Sequence, residues 1–307
     1  MDRLLYWLAL ALVKFFQALP LRWVARIGRA GGGLAYWLDV RHRRVATENL
    51  TKCFSGEKSR TEIRALAREN FKRLGENYVC AIKTSSMAWS DLEPHLQFGG
   101  LEKLQHLRQA SGSVIMAVGH FGNFEVYTRA QHLFPEFQFA TTYRALKEPA
   151  LNNLLVKLRT ASGCLVFERR QEGEALRAAI SNQHLILGLF SDQSAGTGGV
   201  WIPFCGHMCS TTSAPAVFAL RYKSPLFTSV CYRTSLGQWR IEVGDEIPTH
   251  RDGQRRSSAE IMIDVNQAFE AGVRRDPANW FWVHRRWKPK PNQSKVQSPN
   301  PKVAAGV

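Results

Sequence analysis

A histidine and a glutamate five residues apart are the side chains of this sequence best suited to acid-base chemistry. His120 and Glu125 lie in the segment Gly-His-Phe-Gly-Asn-Phe-Glu at 119–125. Inside one helix of about 3.6 residues per turn they would project about 140° apart and could not touch. They can meet only if His120 lies in the turn before the helix, where Gly119 and Gly122 supply backbone freedom. Glu125 would then hold one imidazole nitrogen and leave the other as a general base.

The nucleophile for such a base is not evident in the chain. No Gly-x-Ser-x-Gly pattern, which carries the nucleophile of many hydrolases, occurs in the sequence. The attacking group would therefore be a hydroxyl of the substrate. A reading without catalysis stays open, because a glutamate near a helix start also favours the positive end of that helix.

Strands and helices alternate around this pair from residue 101 onward. The apolar run 114–118 predicts a buried strand directly before His120. Other predicted strands lie at 137–143, 164–167, 185–190, 226–232 and 239–243, and predicted helices at 126–133, 149–160, 172–181, 212–222 and 257–274. The alternation predicts an α/β fold with a central mixed, largely parallel sheet flanked by helices. The last two strands are expected to form a hairpin through Ser235-Leu236-Gly237, and Ser59 to Glu62 predicts a capping box that opens a helix through about residue 83.

Polar and basic side chains follow several of these strands. Asp192 and Gln193 come after the strand at 185–190, Arg144 follows 137–143, and Arg169 follows 164–167. Sites of parallel sheets form outside the carboxyl ends of the strands, so we expect these four and Asn123 to bind substrate on the rim that carries the histidine. The arginines would recognise phosphate or carboxylate. Each arginine taken singly is equally explained as an exposed loop residue.

The first twenty residues predict an amphipathic helix that Pro20 ends. One arc of its helical wheel carries seven large apolar residues: Leu4, Leu5, Leu8, Leu12, Phe15, Phe16 and Leu19. Lys14 interrupts the apolar run well short of the about 20 residues that span a membrane. We therefore expect the helix to lie in the membrane interface, with a helix packed on the protein's own core as the alternative. No small-x-small cleavage site follows the run, so a secretory signal is not expected.

The charge balance and the cysteine content limit the classes of protein to which this chain can belong. Lys+Arg 41 against Asp+Glu 25 leaves a formal charge of +16, which favours nucleic acid, an anionic lipid surface or an acidic protein as partner. Six arginines between residues 22 and 44 suit anionic headgroups or form a solvated face. The six cysteines are scattered through apolar stretches, so we expect them to be mostly reduced and buried in a cytoplasmic protein. The segment 205–209 lacks a second ligand pair, and no metal site is expected.

The carboxyl-terminal region divides into two parts. Aromatic and basic residues interleave over 279–288, a pattern that suits base stacking, a membrane anchor or packing over the sheet. Residues 289–307 are rich in Pro, Lys, Ser and Asn and are predicted to be a disordered tail.

Taken in order, five segments resemble the late acyltransferases of lipid A biosynthesis, within the bacterial lysophospholipid-type acyltransferases that carry a His-x4-Asp/Glu signature. They are 119–125, 143–149, 191–193 with 203–206, 211–215 and 282–288, and they span most of the chain. Where many members carry Trp before the acidic residue, this chain has Phe124. The loop 194–200 also differs from an Asp-Tyr-Gly type of sequence, which leaves the acceptor open.

The resemblance implies an O-acyltransferase on the cytoplasmic face of the bacterial inner membrane. It would move a fatty acyl chain from acyl carrier protein, or from a CoA thioester, to a hydroxyl of a phosphorylated glycolipid that is a lipid A precursor. His120 would be the general base and Glu125 its orienting carboxylate, with no covalent acyl-enzyme and no cofactor beyond the thioester co-substrate.

The implied partners are acyl carrier protein, the anionic glycolipid acceptor and the membrane surface, with no nucleic acid. The chain would comprise a membrane-associating helix at 1–20, a single acyltransferase domain at 21–288 and the tail at 289–307. Two alternatives remain open: another acceptor, such as mannosylated phosphatidylinositol, and a catalytically silent membrane lipid-binding protein.

Overall fold

Helices form the amino-terminal part of the chain. A computed structural model describes residues 2–105, 107, 112–182 and 184–289. Its α-helices are α1 (Asp2–Ala18), α2 (Leu21–Leu38), α3 (Val40–Cys53), α4 (Arg60–Thr84), α5 (Trp89–Leu92), α6 (Glu102–Gln105), α7 (Pro149–Thr160), α8 (Gly173–Asn182), α9 (Ala214–Tyr222) and α10 (Ser258–Arg275). The predicted capping box opens α4, because the Ser59 hydroxyl accepts the Glu62 N–H and the Glu62 carboxylate accepts the Ser59 N–H.

A mixed, largely parallel sheet forms the centre of the molecule, as predicted. The strands are β1 (Leu96–Gly99), β2 (Val114–Val118), β3 (Gln138–Tyr143), β4 (Leu165–Glu168), β5 (Leu185–Phe190), β6 (Val200–Phe204), β7 (His207–Thr211), β8 (Leu226–Ser235), β9 (Gln238–Glu246), β10 (His250–Arg251) and β11 (Gln254–Arg255). Seven of them form one sheet in the order β1-β9-β8-β2-β5-β3-β4. Every neighbouring pair in it is parallel except β8 and β9, the predicted hairpin.

Three local predictions needed correction. The segment Phe124–Leu133 is a 3₁₀ helix rather than an α-helix; over so few residues an apolar period of about 3.0 is hard to tell from 3.6. Strand β1 was missed because it is only four residues long. The β6–β7 hairpin was missed because its turn residues, Cys205 and Gly206, both with positive φ, are not one of the common hairpin pairs such as Asn-Gly or Asp-Gly.

Helix α1 presents most of its apolar arc to the outside. Leu4 is 68% exposed, Leu8 60% and Leu12 52%, whereas Val13 and Phe16 are buried. The alternative in which this arc packs on the protein's own core is therefore wrong for most of its members. No helix in the described part of the chain combines the length and apolarity needed to cross a membrane.

The interleaved segment near the carboxyl terminus is part of the core. Trp280, Trp282 and Arg286 are essentially inaccessible to solvent. The Arg286 guanidinium donates to the carbonyl oxygens of Gln193 and Ser210 at 3.0 and 2.7 Å. Of the three roles open for this segment, packing over the sheet is the one the fold adopts for these side chains. The tail expected at 289–307 lies outside the described residues except for its first member.

The cysteines are only partly as expected. Cys80, Cys164, Cys209 and Cys231 are free and buried. Cys53 and Cys205 instead form a disulfide between the end of α3 and the β6–β7 turn, with their Cα atoms 5.1 Å apart. Their separation of 152 residues explains why no spacing in the sequence predicted the pair.

Candidate active site

The histidine at 120 and the aspartate at 192 leave the sheet at the same edge. Strands β2 and β5 are parallel neighbours whose last residues, Val118 and Phe190, are paired in register. The Ser191 N–H donates to the Val118 carbonyl at 3.1 Å, which keeps the two chain exits together. The rim predicted from the strand ends is therefore present for these two residues.

Asp192 holds His120 through two contacts. Its Oδ2 accepts the backbone N–H of His120 at 2.7 Å, and its Oδ1 lies 2.6 Å from the Nδ1 of the ring. The Nε1–H of Trp280 donates to the same Oδ2 at 2.7 Å. An acceptor at Nδ1 keeps the proton of the neutral ring there and leaves Nε2 as the basic nitrogen.

The Asp192 carboxylate stays charged although it is fully buried. Burial alone would raise its pKa, but the charge of His120 and the hydrogen bonds from His120 and Trp280 outweigh this and hold the pKa below its ordinary value. Asp192 is therefore an anion that can stabilise an imidazolium at His120.

Glu125, the partner expected from the sequence, is engaged elsewhere. Its carboxylate makes a two-point ion pair with Arg159 of α7, in which Nε donates to Oε2 at 2.8 Å and Nη2 donates to Oε1. The carboxylate at the His120 Nδ1 is Asp192. Sequence reasoning looked for a local partner, whereas the fold supplies one 72 residues away. Arg159 was missed because one arginine in the last turn of a helix is unremarkable.

The turn that carries His120 is tightly held. Gly122 has φ +52°, and a Cβ there would lie 2.5 Å from the Cys231 carbonyl oxygen, so only glycine fits. The Phe121 N–H donates to the Gly119 carbonyl and the Gly122 N–H to the Asn279 carbonyl. With the His120 N–H on Asp192, three consecutive amides of the turn already have acceptors within the protein.

A cavity of about 1,100 Å³ opens beside His120, and the Glu125–Arg159 pair lines it too. Apolar side chains line part of its wall, among them Met116, Val118, Leu133, Phe134, Ile186 and Val243. Exposed basic side chains line another part: Arg144, Arg169, Arg170, Arg177 and Lys288. The wall composition fits a mostly apolar ligand that carries negative charge, and the volume lies slightly above the about 300–1,000 Å³ of common ligand sites.

The five residues predicted to bind substrate divide into two groups. Arg144, Arg169 and Gln193 line the cavity. Asn123 is 1% exposed, and its amide nitrogen and oxygen have no hydrogen-bond partner among the described residues. Asp192 is fully buried. The expectation that Asp192 touches substrate is therefore corrected: it supports His120 instead, because the β5 exit turns its side chain inward.

A second histidine lines the cavity and was not singled out from the sequence. His284 accepts the Ser194 N–H at its Nε2, at 3.1 Å. Burial, followed by the charge of Lys288, lowers the pKa of His284 to about 4. Its place in the aromatic and basic segment was visible in the sequence, but nothing there distinguished it from its neighbours.

The chain is similar to known proteins over most of its length. The model of a family described as bacterial lipid A biosynthesis acyltransferase matches residues 1–289. A lipid A biosynthesis acyltransferase of Haemophilus influenzae is 24% identical over 295 residues, covering 94% of this chain and 92% of its own. A lipid A biosynthesis palmitoleoyltransferase of Escherichia coli is 22% identical over 294 residues, with the same two coverages.

Proposed function

Because the chain belongs to the bacterial lipid A biosynthesis acyltransferase family, and is therefore an acyltransferase, we propose that it acylates a hydroxyl of a phosphorylated glycolipid, a lipid A precursor. The donor is the thioester of acyl carrier protein. The observation that carries the proposal is the His120–Asp192 pair, joined at 2.6 Å, at the wall of a large cavity with apolar and basic sides.

In the proposed reaction His120 acts as the general base at Nε2. It takes the proton of the acceptor hydroxyl while that oxygen attacks the thioester carbonyl carbon. The tetrahedral intermediate then collapses, the carbon–sulfur bond breaks, and the imidazolium returns its proton to the departing sulfur. Asp192 stabilises the imidazolium between the two transfers, and no acyl-enzyme forms.

Glu125 acts by holding Arg159 at the cavity wall. The ion pair uses the Nε and Nη2 of Arg159 and leaves Nη1 without a hydrogen bond to any described residue. A guanidinium fixed in this way suits a phosphate of the acceptor. Loss of Glu125 would release the guanidinium, so we still expect Glu125 to be needed for activity.

The two sides of the cavity match the two substrates. The apolar wall takes the fatty acyl chain, and the exposed Arg144, Arg169 and Lys288 take the acceptor phosphates and the acidic surface of acyl carrier protein. No cofactor or metal ion enters the proposed chemistry, since the thioester supplies the driving force.

The amino-terminal helices support the proposal that the protein lies on the cytoplasmic face of the inner membrane. Exposed apolar side chains occur on α1 and also on α2, where Trp23, Leu34 and Trp37 are more than half exposed. Exposed arginines lie near them in the sequence at 22, 26, 41 and 44. Apolar side chains at headgroup depth beside cations are the pattern of helices that lie on anionic membranes.

A transfer assay with a point variant tests the proposal. Membranes that carry the protein are incubated with radiolabelled acyl carrier protein thioester and a lipid A precursor, and the lipids are chromatographed. We expect His120→Ala to lose about 10² to 10⁴ of the rate, as is usual for a general base. His132→Ala is the matched control, because His132 stacks on Trp89 and is not among the residues that line the cavity.

The same assay separates the alternatives. Acylation of mannosylated phosphatidylinositol in place of the lipid A precursor would overturn the acceptor, and an active CoA thioester with an inactive carrier-protein thioester would overturn the donor. Lipid binding without turnover would make the protein a silent lipid binder. A rate for His120→Ala within tenfold of the unaltered protein would remove the histidine from the mechanism.

A further inference from the structure

The proposed transfer needs a hydrogen-bond donor for the oxygen of the tetrahedral intermediate. Preorganised donors at such an oxyanion are among the largest contributions to acyl-transfer rates. The turn around His120 is the obvious source, but its amides at 120, 121 and 122 donate to Asp192, Gly119 and Asn279. These three amides are therefore engaged, which leaves the other groups that line the cavity as candidate donors.

The imidazole of His284 lines the cavity, and hydrogen bonds hold the backbone that carries it. Its backbone carbonyl accepts the Asn49 amide at 2.7 Å, and the same amide donates to the Trp282 carbonyl at 2.7 Å. The buried side chains of Trp282 and Arg286 hold the chain on either side of it. A donor fixed in this way needs little reorganisation when negative charge develops on the carbonyl oxygen of the substrate.

The contacts of His284 decide which nitrogen carries its proton. The Ser194 N–H donates to Nε2 at 3.1 Å, so Nε2 is an acceptor and carries no hydrogen. In a neutral imidazole the proton then lies on Nδ1. No hydrogen bond within the described part of the chain reaches Nδ1, and that atom is absent from the buried polar atoms left without a partner. Nδ1–H is therefore an accessible donor on a side chain that lines the cavity shared with His120.

The charge state of His284 suits such a donor. Burial first, and then the positive charge of Lys288, lowers its pKa to about 4, so the ring is neutral near pH 7. A neutral imidazole offers its N–H without giving the proton away, whereas an imidazolium would compete with His120 in proton transfer.

We propose that His284 is the oxyanion donor of this acyltransferase, through Nδ1–H. This rests on the proposed function. As the acceptor oxygen bonds to the thioester carbon, the electron pair of the carbonyl π bond moves onto its oxygen, which accepts a hydrogen bond from Nδ1–H. The pair returns as the carbon–sulfur bond breaks, and the His284 proton is never transferred.

Two substitutions separate this role from a structural one. In His284→Asn the amide group lies where Nδ1 was, so an N–H can still point into the cavity while the contact with Ser194 is lost. In His284→Gln the amide oxygen reaches the former Nε2 position and accepts the Ser194 N–H, while the donor at the Nδ1 position is lost. We expect His284→Gln to lose about 10² to 10³ in kcat with little change in KM, and His284→Asn to stay within about tenfold of the unaltered protein.

The opposite order, with Gln active and Asn inactive, would show that the Ser194 contact matters and would overturn the proposal. Equal losses in both variants, or no loss in either, would also overturn it. Thermal unfolding of both variants checks that the fold is retained.

Slow hydrolysis of the acyl carrier protein thioester by water keeps this test separate from the choice of acceptor. Hydrolysis passes through the same oxyanion, so it tests His284 even if the lipid A precursor is not acylated and the proposed acceptor fails. The tautomer is tested without any turnover by ¹⁵N NMR of histidine-labelled protein at pH 7. A His284 ring that is charged, or that carries its proton on Nε2, would refute the inference.

Discussion

Replacing Asp192 by asparagine should reverse the tautomer of His120. Oδ2 of Asp192 accepts two fixed donors at 2.7 Å, the His120 backbone N–H and the Trp280 Nε1–H. The single oxygen of the asparagine must stay with these two donors, because turning the amide would set its NH₂ group against both. The NH₂ group then faces the His120 Nδ1, which lies 2.6 Å from Oδ1 in the unaltered protein. Nδ1 must become an acceptor, and the ring proton moves to Nε2, the nitrogen needed as base.

The expected loss of rate in Asp192→Asn is large because a proton occupies Nε2 of His120, so the base is blocked and not merely weakened. Loss of the correct tautomer in a serine protease triad costs about 10⁴ in kcat, which corresponds to about 5.5 kcal/mol at about 1.36 kcal/mol per tenfold. The assay is the initial rate of acyl transfer from radiolabelled acyl carrier protein thioester, with ¹⁵N NMR of the His120 ring as a second readout. Substrate binding should change little, since Asp192 is fully buried.

Glu125→Gln is the matched comparison. It removes the carboxylate that pairs with Arg159, so we expect activity to fall, but it should leave the proton of His120 on Nδ1. The reasoning is refuted if Asp192→Asn keeps its rate within tenfold of the unaltered protein. It is equally refuted if Glu125→Gln, and not Asp192→Asn, moves the proton to Nε2.

Three further outcomes follow from other parts of the fold. A Cβ at Gly32 would lie 2.1 Å from the Phe71 carbonyl oxygen of α4, whereas a Cβ at Gly31 meets nothing within 4 Å. Thermal unfolding should therefore show that Gly32→Ala is destabilised by about 1–3 kcal/mol. The matched variant Gly31→Ala should be unchanged or stabilised by up to about 1 kcal/mol. The pKa of His284 falls from 6.5 to about 4 on folding, so as the pH is lowered the unfolded chain binds this proton before the folded chain does. The free energy of unfolding should therefore drop by about 3 kcal/mol as the pH falls from about 6.5 to about 4. Denaturant titrations of His284→Gln should lack that part of the drop. Leu8→Glu should weaken sedimentation with anionic vesicles at least tenfold, since a buried leucine contributes about 1.5–3 kcal/mol, and its 60% exposure predicts unchanged unfolding.

The alternation of apolar runs was enough to predict the architecture. The strands at 114–118 and 185–190 were placed correctly, as were the helix at 149–160 and the hairpin near residue 236. These elements follow from local periodicity and turn residues, which a sequence displays directly. The 3₁₀ helix after His120 and the hairpin at 200–211 depend on small differences in backbone geometry, which periodicity does not reveal.

The sequence by itself determined which histidine leaves a buried strand, and it predicted that Gly122 gives the following turn its backbone freedom. Only the tertiary structure decided what His120 touches. Its partner Asp192 comes from the neighbouring strand β5, and Arg159 from α7 is paired with the Glu125 that the sequence had assigned to the histidine. The physical reason is that backbone preferences act over a few residues, whereas side-chain pairing follows from which strand ends the sheet brings together.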